Sequence, residues 1–96
     1  MVNYVARVVL FDANWEHYQT LHIAMQRLGF LRTITADDGV TYELPDGTYY
    51  IQNVPLSTNA TTVRTQVSHA AGSTERRHSE IVFNTDSSAW LGLNIV

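Results

Sequence analysis

Hydrophobic positions along this chain change period several times, and each change marks an element. Residues 4–11 are a run of Val, Leu, Tyr and Phe interrupted only by Ala6 and Arg7. Such a run predicts a strand that is apolar on most of both faces, and so a central one. After Asn14, a natural N-cap, the period becomes helical: Trp15, Tyr18, Leu21, Met25 and Leu28 share one arc, with Glu16, Gln19, Thr20, Gln26 and Arg27 opposite. Gly29 closes this helix at about residue 28, because glycine accepts the left-handed backbone that ends helices. A second β-like run, residues 30–36, follows with Thr33, Ile34 and Thr35 inside it.

Two turn signals, Asp37-Asp38-Gly39 and Pro45-Asp46-Gly47, bracket the short alternation Val40, Tyr42, Leu44. They predict a meander or a hairpin with an elaborated tip. Residues 48–54 read as a further strand, stopped by Pro55, whose missing N–H cannot continue a central ladder. Ser57, Thr58 and Asn59 are alternative caps for a helix near 59–71 that carries Ala60, Val63, Val67, Ala70 and Ala71 on one side, with Gly72 past its end. A polar loop at 73–79 leads into a strand at 80–84 built on Ile81, Val82 and Phe83. Residues 89–96 carry Trp90, Leu91, Leu93, Ile95 and Val96, too apolar for an idle tail. In a strand there, Leu91, Leu93 and Ile95 would share one side.

The order βαββαβ plus an apolar C-terminal segment is that of the ferredoxin-like α+β fold, one antiparallel sheet with both helices on one face. Its other face, with Val5, Arg7 and Val9, must then be solvated, covered by the C-terminal segment, or buried in a partner. A homodimer, with residues 89–96 pairing along a sheet edge or with a partner subunit, answers that need. Ninety-six residues suffice for a single domain over residues 1–96 that buries about two thirds of its surface.

Charge and composition narrow the function. Six basic residues, all arginine, face nine acids for a net charge of -3, which argues against holding nucleic acid by bulk electrostatics. DNA is not an expected partner. The absence of cysteine removes disulfides, thiolate metal sites and thiol nucleophiles. The first residues carry no basic stretch followed by a signal-length apolar region, so the cytoplasm is the default location. No apolar run is long enough to insert in a membrane.

Asp12 follows directly on the first strand, where a carboxylate can project from the sheet's end and take a 2′-hydroxyl proton or hold a divalent ion. An Asx turn or a helix cap is the structural alternative. His22 lies at the edge of the helical arc, about 40° from Tyr18, and is a second candidate beside a partly buried, backbone-bonded histidine. His17 and His22 lack the i, i+4 spacing that converges on one metal, so no metal site is assigned and the cofactor is unknown. Arg27, Arg32, Arg76 and Arg77 are the candidate phosphate contacts, and Arg76-Arg77-His78 is the densest positive group. Tyr42, Tyr49 and Tyr50 stack on bases or pack across strands.

The stretch Tyr4-Val5-Ala6-Arg7-Val8-Val9-Leu10-Phe11-Asp12, the helix ending Leu28-Gly29-Phe30, the segment Thr33-Ile34-Thr35-Ala36-Asp37-Asp38-Gly39 and the Leu44-Pro45 turn resemble the GhoS-type endoribonuclease antitoxins of type V toxin-antitoxin systems. That family shares the ferredoxin-like fold of the CRISPR adaptation nucleases. The likeness covers approximately the first 70 residues as a spacing of strands, helices and turns. It implies sequence-selective cleavage of the mRNA that encodes a small membrane toxin, and it maps the carboxylate after strand one onto Asp12. The alternative from another class is a non-catalytic, dimeric interaction or regulatory module that uses the open sheet face.

Overall fold

The computed structural model describes residues 1–96, in the order β1 (Val2–Leu10), α1 (Trp15–Arg27), β2 (Thr33–Thr35), β3 (Thr41–Glu43), β4 (Thr48–Val54), α2 (Ala60–Gly72) and β5 (His78–Thr85). β1 is central, as its two-sided apolarity predicts, with β4 and β5 paired antiparallel on either side of it. Both helices are capped by asparagine. Asn14 Oδ1 accepts from the His17 amide at 3.2 Å and Asn59 Oδ1 from the Thr62 amide at 2.8 Å, so Asn59 is the cap among its three sequence alternatives.

Period two decides what β1 buries. Tyr4, Ala6, Val8 and Leu10 are buried, and they meet Leu21 and Met25 of α1 and Val63, Val67, Ala70 and Ala71 of α2 in one cluster that also holds Phe30 and Tyr49. The fold is therefore α+β, with both helices against one face of the central strand. Tyr4 is nearly fully enclosed, and its hydroxyl donates to the Thr58 carbonyl at 3.0 Å, which ties the approach to α2 onto the sheet.

The strands divide differently from the single four-stranded sheet that the sequence order suggests. β2 and β3 form a separate two-stranded hairpin, Ile34 opposite Tyr42, beside the three-stranded sheet β4-β1-β5. One antiparallel pair links the two sheets: Leu31 and Tyr50 exchange backbone hydrogen bonds at 2.7 and 2.9 Å. Just beyond that pair Arg32 turns to β3, its carbonyl accepting from the Leu44 amide at 2.8 Å. The chain is thereby committed to its hairpin partner before it can extend along β4.

The C-terminus also departs from a regular strand. Leu91 is exposed and Gly92 takes φ 81°, so residues 90–93 bend, and only the last three residues pair with β3. The Glu43 amide donates to Asn94 and the Val96 amide to Thr41, around a Tyr42–Ile95 bridge. Trp90 packs edge-on against Tyr42 with centroids 5.5 Å apart. Trp15, placed on the apolar arc of α1 by its spacing, is exposed: the first residue of that helix to be buried is Leu21. β5 starts at His78, two residues earlier than the strand expected at 80–84.

The accessible surface is 6245 Å² and the Cα extents are 38 × 33 × 19 Å. Size scaling gives roughly 5,500 Å² for a rounded chain of this mass. The excess fits a flat molecule in which helices cover only one side.

Candidate functional site

The C-terminal end of β1 meets the loop that joins α2 to β5. The Phe11 amide donates to the Arg77 carbonyl at 2.8 Å, Arg76 Nε donates to the Phe11 carbonyl at 3.3 Å, and the Arg77 guanidinium lies 4.7 Å from the Phe11 ring centroid. A cation over an aromatic face is held by the ring quadrupole. Both arginines are thereby fixed one residue from Asp12.

Asp12 is exposed and has φ 52°, a left-handed backbone that few residues other than glycine adopt and that aspartate tolerates. The two ion pairs of the molecule, Arg32–Asp46 and His78–Glu80, do not involve it. The capping role that its position offers is taken by Asn14, whose own amide donates to His17 Nδ1 at 3.0 Å in a reciprocal box. That bond leaves the proton of neutral His17 on Nε2.

His22 does not join this cluster. It lies seven residues into α1, about 10 Å along the helix from Trp15, and is 8% exposed. Its Nδ1 meets the Tyr49 hydroxyl at 2.6 Å, and the Tyr18 and Tyr49 rings flank it at 6.5 and 5.7 Å. Burial lowers the His22 pKa from its usual 6.5, and the Arg32 charge adds to the effect while Asp46 opposes it. Burial pushes the Tyr49 phenol far upward, so it keeps its proton, and because Tyr49 is fully enclosed and its hydroxyl has no other hydrogen-bond partner, that proton is donated to His22. Arg32 is paired with Asp46 at 3.3 Å, and Arg7 Nη1 donates to the carbonyl of the same aspartate at 2.5 Å.

No protein-family model, curated protein or solved structure matches this chain. The chemistry of its sites is therefore read from its own side chains. Of the six residues picked out from the sequence, the structure brings Asp12, Arg76 and Arg77 together. It sets His22 and Arg32 around a different depression. Arg27 stands apart, about 18 Å of helix from the start of α1, on the rim of a groove between α1 and α2 floored by Ala24, Leu28 and Ala70.

Three roles escaped the sequence reading. Phe11 positions both loop arginines, a role readable only once the loop is folded back. Tyr49 fixes the His22 tautomer. Glu80 accepts from the Ser68 hydroxyl and lies 2.7 Å from His78 Nδ1, clasping α2 to β5. Burial alone would raise the Glu80 pKa, but the Ser68 and His78 hydrogen bonds with the His78 and Arg64 charges outweigh it and hold the carboxyl below its usual 4.5. The order Ser68, Glu80, His78 puts the carboxylate in the middle, so the serine has no imidazole to deprotonate it and no acyl-transfer triad is formed. The His78-x-Glu80 spacing on one strand face was the available signal.

Proposed function

We propose that the end of β1 is the cleavage site of a sequence-selective endoribonuclease of the antitoxin type that the sequence resembles, acting on the mRNA of a small membrane toxin. One observation carries the reading: Asp12 is an exposed, unpaired carboxylate that follows directly on Phe11, whose main chain and ring hold Arg76 and Arg77 in place. In this reading the carboxylate takes the proton of a 2′-hydroxyl, and the freed oxygen attacks the adjacent phosphorus. Arg76 and Arg77 balance the charge that gathers on the phosphate oxygens. The 5′-oxygen leaves with a proton drawn from water, and the proton taken by Asp12 returns to solvent. A ferredoxin-like arrangement is supported by β5 and β4 flanking β1, with Leu31 bridging Tyr50 on the far side of β4.

The purified chain is expected to cut single-stranded RNA, assayed with and without magnesium. Asp12→Asn should abolish cleavage while leaving the circular dichroism spectrum and unfolding midpoint unchanged, and Arg77→Ala should weaken it. Cleavage by the Asp12 variant at the level of the parent overturns the assignment.

A second reading is favoured by the uncovered sheet face. Val5 pairs with Phe83 and Arg7 with Ile81, and Ile81 and Phe83 are each 51% exposed on an edge strand. That stripe supports a dimeric, non-catalytic interaction module. Light scattering at micromolar concentration tests it, with a monomer counting against it.

A further inference from the structure

We propose that the depression between α1 and the start of the β2–β3 hairpin is a binding site for a nucleotide phosphate, with His22 and Arg32 as its two donors. The site is separate from Asp12 and does not depend on cleavage there.

His22 is more than nine-tenths buried, yet only one of its ring nitrogens is used inside the fold. Because Tyr49 donates to Nδ1, the neutral ring carries its hydrogen on Nε2. No buried side-chain nitrogen or oxygen in the molecule lacks a partner, so Nε2 is not sealed in. The opening available to it is the depression that His22 lines, about 330 Å³ in volume. An otherwise enclosed imidazole thus presents a single donor to a concave surface, and Tyr49 holds its orientation.

Arg32 lines the same depression from the other side. One of its nitrogens faces Asp46 at 3.3 Å, and the side chain is half exposed, so the rest of the guanidinium fork is open to a ligand. Gln19 and Thr33 add further polar groups to the wall. The His22 and Arg32 groups are donors, and Arg32 is the one formally charged side chain in the lining. Such a set selects an acceptor-rich anion, and a phosphate offers enough oxygens to be shared between an imidazole N–H and an arginine on different elements. The rim supplies the rest of the ligand's environment. Ile23 and Leu31, 52% and 50% exposed, are apolar surfaces suited to a sugar or base edge. The volume lies at the lower end of the range for small-molecule sites and exceeds the need of inorganic phosphate.

The phosphate belongs either to a free mononucleotide or to an RNA chain, and the experiment separates the two. The ring signal of His22 is followed by NMR near neutral pH while uridine 5′-monophosphate, a uridine tetranucleotide, inorganic phosphate and acetate are titrated into the full chain. A saturable shift with the mononucleotide identifies a free nucleotide. One with the tetranucleotide alone identifies the RNA backbone. Inorganic phosphate should bind more weakly than either, and acetate should leave the signal in place. Arg32→Gln should weaken binding about tenfold, and Asp46→Asn, which releases Arg32 from its counterion, should tighten it severalfold. Both side chains are on the surface, so neither variant threatens the fold, and opposite signs are not expected of a merely structural pair. Asp12→Asn should bind like the parent even if RNA cleavage is never observed. A His22 signal unmoved by every phosphate compound up to about 10 mM, or a shift indifferent to both substitutions, overturns the proposal.

Discussion

On one face of β1, Tyr4, Ala6, Val8 and Leu10 are all 6% exposed or less. On the other, Val5 and Val9 are half-buried and Arg7 is exposed. Arg7 apart, the residues differ little in hydrophobicity. The neighbours that the chain returns to each side are what differ. The first face receives two amphipathic helices with buried stripes of Leu, Met, Val and Ala. The second receives only the hairpin and the C-terminal segment, and these cover its β4 end. Ile34 and Tyr50 are buried there outside the main core, lining a depression shared with Trp90. Toward β5 nothing arrives, and Ile81 and Phe83 stay half exposed. An apolar strand face is thus a demand for cover, and helices meet it more completely than a three-residue hairpin can.

Substitutions on the two faces should part widely. Leu21→Ala, deep under α1, is expected to cost about 2–5 kcal/mol in urea unfolding, because it removes buried methyl groups and leaves a cavity that the packed helices cannot fill. A loss well below that range would mean the helical face is loosely packed. Gly47→Ala comes next, at about 1–3 kcal/mol. Gly47 has φ 83°, and an added Cβ would sit 2.4 Å from the Val8 carbonyl oxygen, in the turn that hands β3 on to β4. A neutral result would show that the turn can move away from β1.

Acid should separate two further regions. His22 has a pKa below 6.5 in the fold, so the unfolded chain binds more protons, and the stability held by its neutral ring is present above pH 6.5 and lost as pH falls below it. Glu80 is held below 4.5, so its contribution is present above that value and drains away as pH drops through the folded pKa. Denaturation midpoints should decline in two stages. His22→Gln should flatten the first and Glu80→Gln the second, and a single decline untouched by either variant would contradict both assignments. The smallest effect is expected for Phe83→Ser on the open face, within about 0.5 kcal/mol for a monomer. A substantially larger loss that grows with protein concentration would show that this face is covered by a second copy.

The helices were legible because each carries several mutually consistent signals. An asparagine cap, a 3.6-residue apolar stripe and a glycine near the end agree within a short window, and each acts locally. β4 was legible for the same reason, bounded by Gly47 and Pro55. The hairpin was harder. Whether residues 30–36 join β4 or turn to β3 is a competition between two partners for one set of backbone groups, and local composition does not settle it. Trp15 misled because its angle on the helical wheel is right while its position, in the first turn, falls short of the buried stripe.

The candidate site shows the same division. Asp12, as a carboxylate at the end of a central strand, follows from the order of residues alone, and so does the density of charge at Arg76 and Arg77. That these lie together was decided by the tertiary fold, because it takes the return of α2 to bring residue 77 to residue 11. The same is true of His22. Its place on the edge of a helical arc is a property of spacing, but its environment came from β4, which placed Tyr49 against one nitrogen, and from the hairpin, which brought Arg32 to the depression beside it. Periodicity and capping act between residues a few positions apart and can be read in sequence. Tautomer, charge environment and the cover of a sheet face depend on groups tens of residues away, and only the packed chain brings them into range.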